Sequence, residues 1–126
     1  MHGTIPSKSL VLINTGWAMR WHKTDNYSNK DAQGQMHFPG VSAKAAELLV
    51  TRGISGLGID TLSPDGTPEA FPVHDTILGA HKYILENVAN LDALPPTGSL
   101  AIVMPLRIKD GTESPVRLIC VLPAEK

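Results

Sequence analysis

A single cysteine, Cys120, stands in 126 residues, which excludes an internal disulfide and fits a reducing compartment. It lies in the apolar run Val116-Arg117-Leu118-Ile119-Cys120-Val121-Leu122 and reads as a buried strand thiol, not a reactive thiolate. No apolar stretch reaches the roughly 18 residues that a membrane-spanning helix requires. Met1-His2-Gly3-Thr4-Ile5-Pro6 lacks the basic start and apolar centre of a signal peptide, so the expected address is the cytoplasm. Lysine and arginine form no run able to track a phosphate backbone. The formal net charge of -1 gives no pull toward nucleic acid or an anionic membrane. Internal repeats and low-complexity tracts are also missing. What remains is an ordinary globular composition, with 42% hydrophobic residues and a mean hydropathy of -0.02. The length points to a single domain over residues 1–126.

Ser9-Leu10-Val11-Leu12-Ile13-Asn14, closed by Thr15-Gly16, predicts a buried strand. Trp17 and Trp21 share a face if residues 17–21 make a helical turn. From His22 to Gly40 the chain is polar, contains glycine and is long for a loop, as functional covers and partly disordered segments are. Ser42 is placed to cap a helix over residues 43–52, with Val41 and Ala46 as its flanking staple and Gly53 as its left-handed stop. Residues 54–60 alternate apolar and small side chains and predict a strand that delivers Asp60 at its end. Residues 63–68 are turn chemistry. A short helix over residues 74–80 and a short strand over 82–87 follow, with one continuous helix over 74–90 as the competing pattern. Residues 94–98 connect to two closing strands, 99–108 and 115–122, around a polar turn at Asp110-Gly111. Pro105 marks an edge or a bulge in the first of these strands. The expected fold class is α/β (α+β mixed), a mixed sheet with short helices.

His74 and Glu86 are both metal-ligand types, and twelve positions separate them. In one unbroken helix that is ~18 Å of rise. Two donors on one ion at ~2.0–2.2 Å cannot be so far apart. A shared site therefore needs a chain reversal between them, for which Gly79 is the apparent break. The pair falls short of the three protein ligands usual for catalytic zinc and the four usual for structural zinc. His81 is a substitute ligand or a surface turn residue, and His22 and His37 belong to the polar loop.

The motifs resemble the cyclase family of metal-dependent hydrolases, which includes kynurenine formamidases and isatin hydrolases. The similar residues begin with Leu10-Val11-Leu12-Ile13-Asn14-Thr15-Gly16-Trp17, Pro39-Gly40-Val41-Ser42 and Arg52-Gly53-Ile54. They continue through Gly58-Ile59-Asp60-Thr61-Leu62-Ser63, Phe71-Pro72-Val73-His74 and Glu86-Asn87-Val88-Ala89-Asn90-Leu91. They close on Leu94-Pro95, Pro105-Leu106 and Gly111-Thr112-Glu113-Ser114-Pro115-Val116-Arg117. The likeness covers nearly the whole chain and corresponds to the C-terminal portion of such an enzyme. It implies a swivelling β/β/α fold and a zinc or manganese site to which His74 and Glu86 contribute. The family's early motif, His-x-Gly-Thr-His-x-Asp-x-Pro-x-His, supplies the other ligands and the catalytic histidine, and it is absent here. Met1-His2-Gly3-Thr4 shares three letters with it, but no His-x-Asp follows.

The resemblance implies hydrolysis of an amide, formamide or lactone through a metal-activated water, with this chain supplying part of the site. The other function class is a non-catalytic half-domain acting as a binding or assembly module. Trp17 and Trp21 are candidates for an aromatic wall against a planar substrate or for packing the loop onto the core. Asp60 and Ser63 are candidates for orienting site groups or for plain turn formation. Expected partners are a small-molecule substrate and either a second copy of the chain or a chain carrying the missing motif. Nucleic acid and membrane are not expected partners.

Overall fold

The computed structural model describes residues 3–66 and 70–124. The chain divides into two compact units, Met1–Leu91 and Asp92–Lys126. In the first unit, strand β1 (Leu10–Ile13) leads through a 3-10 turn (Trp17–Arg20) and a short helix α1 (Thr24–Ser28) to helix α2 (Ala43–Thr51). Strand β2 (Gly56–Ile59), helix α3 (Pro72–Gly79) and strand β3 (Tyr83–Leu85) follow. The three strands form a parallel sheet in the order β1-β2-β3, with Leu10 opposite Gly56 and Gly56 opposite Tyr83. Parallel neighbours need crossover connections, and α2 and α3 sit within them.

Local chemistry starts and stops the helices. Ser42 accepts a hydrogen bond from the Ala45 amide at 3.2 Å and caps α2 as expected. Gly53, at φ 70°, ends that helix. Its amide reaches the Val50 carbonyl at 2.8 Å and the Ile54 amide reaches the Leu49 carbonyl at 3.4 Å, a Schellman closure. Helix α3 opens on Pro72, whose fixed φ suits the first turn.

The core lies between one sheet face and the two helices. Ala46 and Leu49 of α2 and Val73 and Ile77 of α3 bury with Ile54 and Leu57, against Val11, Ile13 and Ile84. Each fully buried aliphatic side chain contributes about 1.5–3 kcal/mol. On the opposite face the side chains close over Gly58, where a Cβ would lie 2.5 Å from Leu12 Cδ2 and 3.5 Å from Leu85 and Val88.

Three expectations change. The segment 22–40 is not a bare loop. It contains α1, anchored by buried Tyr27, and a bridge between Lys30 and Met36. There Asp31 Oδ1 accepts the Gln33 and Gln35 amides, each at 2.9 Å, so local side-chain bonds replace the missing core. The continuous helix over 74–90 is excluded. The chain does reverse, but at His81, with φ 57°, and not at Gly79, which remains inside α3. The His81 amide bonds to the Leu78 carbonyl at 2.9 Å and the Lys82 amide to the Ile77 carbonyl at 3.1 Å, a second Schellman closure with a histidine where glycine is usual. The closing strands are shorter than expected.

The second unit is an antiparallel ribbon of β4 (Leu100–Pro105) and β5 (Val116–Val121), pairing Leu100 with Val121 and Pro105 with Val116. Pro105 terminates β4, as its missing N–H requires. Asp110, at φ 57°, turns the connection. The turn expected over residues 63–68 runs out at Thr67 and Pro68, which lie outside the described residues. Among the described residues no helix is long and apolar enough to cross a membrane.

Gly40 and Gly66 make a backbone-to-backbone approach. A Cβ on Gly40 would overlap the Gly66 amide nitrogen and sit 2.8 Å from the Pro64 carbonyl oxygen, where no flexible side chain can yield. A Cβ on Gly79 meets nothing within 4 Å. Gly40→Ala is therefore expected to destabilise by about 2–3 kcal/mol in urea unfolding. Gly79→Ala is expected to be neutral or stabilising by about 0.5–1 kcal/mol. Equal effects at the two positions would contradict this packing.

Candidate functional site

Parallel strands bring their carboxyl ends to one edge of the sheet, the edge where open α/β sheets gather ligand groups. Thr15 lies two residues past β1, Asp60 directly follows β2 and Glu86 directly follows β3. Helix α3, which begins on the way from β2 to β3, carries His74 in its first turn.

His74 sits between two carboxylates. Its Nδ1 lies 2.6 Å from Asp65 Oδ2, and its Nε2 lies 3.4 Å from Glu86 Oε1. Asp65 is buried, and its carboxylate also accepts the Val73 amide at 2.8 Å and the His74 amide at 3.1 Å. It thereby caps α3, whose N-cap residue, Phe71, makes no side-chain cap bond. A carboxylate only accepts, so the shorter contact, to Asp65, favours a proton on Nδ1 in the neutral ring, which leaves the Nε2 lone pair for an ion on the Glu86 side. The Phe71 ring stands edge-on to the imidazole, 5.7 Å between centroids. The side chains of His74 and Glu86 are 27% and 29% exposed, enough for a ligand to reach them.

The 3.4 Å separation is long for a direct hydrogen bond and compatible with two donors on one ion. Charge-assisted N–H···O bonds are shorter, about 2.7–2.9 Å. Two donors at about 2.0–2.1 Å from one tetrahedral ion stand about 3.4 Å apart. An imidazole nitrogen with a carboxylate oxygen suits zinc or manganese, and the carboxylate behind the imidazole is the usual outer support of a ligating histidine. The donor types and spacing fit a divalent metal. Among the described residues no group of three or more His, Cys, Asp or Glu is arranged to hold an ion.

A second cluster surrounds Asp60, which is fully buried. Its Oδ1 accepts the Thr15 hydroxyl at 2.7 Å and the Thr15 amide at 3.0 Å, and its Oδ2 accepts the Ala18 amide at 3.3 Å. Burial pushes the Asp60 carboxyl up, but the bonds from Thr15, Ala18 and Trp17 outweigh it and hold the group below the ordinary carboxylate value. The Trp17 indole donates to the Tyr27 carbonyl at 2.9 Å, while Trp21 packs edge-on against the Tyr27 ring at 5.0 Å. The Tyr27 hydroxyl shares its proton between the Asp60 carbonyl at 2.9 Å and Asn87 Oδ1 at 2.8 Å. Burial first, then the charges of Asp60 and Glu86, push that phenol up to about 12.

The structure thus brings His74 and Glu86 together. It gathers Trp17, Trp21 and Asp60 around Tyr27 instead. Trp17 is half-buried beneath the Arg20 guanidinium at 4.0 Å, and Trp21 is 58% exposed. Ser63 accepts the Asp65 amide at 3.1 Å, a turn contact that also sets the carboxylate behind His74. His81 and His22 are exposed, and His37 pairs with Asp31 at 2.8 Å. Sequence reading missed Asp65, Thr15 and Tyr27. The one available signal was a helix start at Phe71-Pro72 without its own capping side chain, which had to borrow an acceptor from elsewhere.

The sequence model of the Cyclase family matches residues 1–66. Isatin hydrolase of Roseibium aggregatum is 33% identical over 127 residues, covering 97% of this chain and 48% of that protein. Kynurenine formamidase of Polaromonas naphthalenivorans is 32% identical over 93 residues, covering 73% of this chain and 41% of that protein. The solved structure of isatin hydrolase A from Ralstonia solanacearum superposes with a TM-score of 0.91 at 34% identity, over 97% of this chain and 48% of that one. The chain spans about half the length of the curated relatives it matches. The α/β class with short helices expected from the sequence is the one observed.

Because the folded pKa of Asp60 lies below the unfolded value of about 3.9, its contribution to stability is present above that value and is lost as pH falls through the folded one. Asp60→Asn places an amide donor against the Thr15 or Ala18 N–H and is expected to cost about 1–3 kcal/mol at neutral pH. The gap between parent and variant, followed by urea unfolding, should narrow on acidification below about pH 4. A constant gap would show that the Asp60 charge does not stabilise the fold.

Proposed function

This chain belongs to the Cyclase family, and from that premise we propose that it forms part of a metal-dependent hydrolase. The reaction is addition of water across a C–N or C–O bond of an amide, formamide or lactone. The observation that carries the reading is the Nε2–Oε1 juxtaposition of His74 and Glu86, backed by Asp65 at the carboxyl edge of a parallel sheet. The hydrolase names of the relatives and the planar aromatic compounds those names refer to support the substrate class.

When bound, a zinc or manganese ion supplies a polarised carbonyl and an acidified water. His74 offers Nε2 in the tautomer that Asp65 dictates, so no ring rotation is needed before binding. Glu86 adds a carboxylate that offsets the ion's charge. Trp17 and Trp21 form an aromatic wall for a planar acyl group, Asp60 fixes the loop that carries them, and Ser63 fixes Asp65. The remaining ligands come from a His-x-Gly-Thr-His-x-Asp segment, on the same polypeptide or on another. A second copy of this chain or that complementary segment is the expected partner.

Zn2+ and Mn2+ titrations of this chain, the His74→Ala variant and the Glu86→Ala variant test the ligand pair. Each substitution should weaken uptake at least about tenfold. Turnover of N-formyl aromatic amides is expected once the motif-bearing segment is added and should disappear in His74→Ala. Metal uptake unchanged in both variants would sink the reading. Uptake without turnover in the presence of the complement would favour the binding module.

A further inference from the structure

We propose that Tyr27 is a positioning residue for Glu86, acting through the side chain of Asn87. The inference rests on the metal-site reading above and assigns a task to the segment 22–40, which the reaction otherwise leaves unused.

Tyr27 is the one buried residue of that segment, 5% exposed. An aromatic ring alone would account for the burial, but its polar end is also placed. The hydroxyl lies 2.9 Å from the Asp60 carbonyl and 2.8 Å from Asn87 Oδ1, joining the ends of β2 and β3. Asn87 directly follows Glu86 and holds φ 56°, a left-handed conformation that L residues other than glycine adopt uncommonly. Its amide bonds to the Thr61 carbonyl at 2.9 Å and the next amide, of Val88, to the Ile59 carbonyl at 3.0 Å. The turn at Asn87 sets where the Glu86 side chain leaves the backbone, and Tyr27 grips that turn from its side-chain end. The phenol, pushed up to about 12, remains a neutral donor throughout the physiological range. The Trp17 indole on the Tyr27 carbonyl and the Trp21 ring against its face lock α1 in place, so the hydroxyl is held on its target.

Without that grip the turn keeps its backbone bonds and loses its side-chain restraint. Glu86 then samples positions away from His74 Nε2, and a ligand pair that must stand about 3.4 Å apart is less often preorganised.

The test is Tyr27→Phe, which removes one oxygen, compared with the parent by calorimetric Zn2+ titration in the presence of the motif-bearing segment and by thermal unfolding. The expected result is about a tenfold rise in the Zn2+ dissociation constant, the scale of an outer-support loss. Asn87→Gly, which removes the acceptor and tolerates the left-handed backbone, should produce a similar rise, and the double variant should be no worse than either alone, because both remove one bond. Leu49→Ala should lower the melting temperature and leave Zn2+ affinity in the folded protein unchanged. Equal Zn2+ affinity in Tyr27→Phe and parent, whatever the melting temperatures, overturns the proposal. Should Tyr27→Phe fail to fold, Asn87→Gly decides the matter by the same readout. A parent chain that takes up no Zn2+ even with the motif-bearing segment present overturns the metal-site reading itself, and the positioning role falls with it.

Discussion

Asp65 meets three donors of one helix: the Val73 amide, the His74 amide and the His74 Nδ1. Its carboxylate answers the exposed amides at the start of α3 and fixes the imidazole in the same act. A helix start that Phe71 does not cap needs such an acceptor, so fold stability and the orientation of the imidazole draw on one group. Ser63 and the Gly40–Gly66 contact shape the turn that delivers it.

The three-stranded parallel sheet supplies the rest of the geometry. Its carboxyl edge carries Thr15, Asp60 and Glu86 in neighbouring strands, and α3 begins beside it. Buried Asp60 is tolerable because two hydrogen bonds from Thr15 and one from Ala18 answer its charge. Those bonds also hold the 3-10 turn that presents Trp17 and Trp21. The edge therefore has the His74–Glu86 pair on one side and an aromatic cluster around Tyr27 on the other, with Asn87 bonded to Tyr27 and next in sequence to Glu86.

Regular elements were legible where a local rule governed them. The apolar run at β1, the Ser42 cap, the Gly53 stop and the alternation through β2 each follow from neighbouring residues. The reversal between His74 and Glu86 was legible as a need but was placed at the wrong residue. The left-handed position is His81, and glycine-based reading has no signal for a histidine there. Asp65 and Tyr27 were not legible because their partners are assembled by the fold: Tyr27 reaches Asp60 and Asn87 across 33 and 60 positions. His74 and Glu86 were singled out as a pair by family resemblance, since spacing alone left open whether they share a site.

The chain spans about half the length of its relatives, and the proposal that it carries part of a metal site turns on the orientation of His74. Long-range 1H–15N correlation spectra of the His74 imidazole, recorded with the ring neutral, test it most directly. The account predicts a protonated Nδ1 and an unprotonated Nε2, with the Nε2 resonance moving when Zn2+ is added. A proton on Nε2 in the neutral ring, or a Zn2+ response confined to Nδ1, would contradict it.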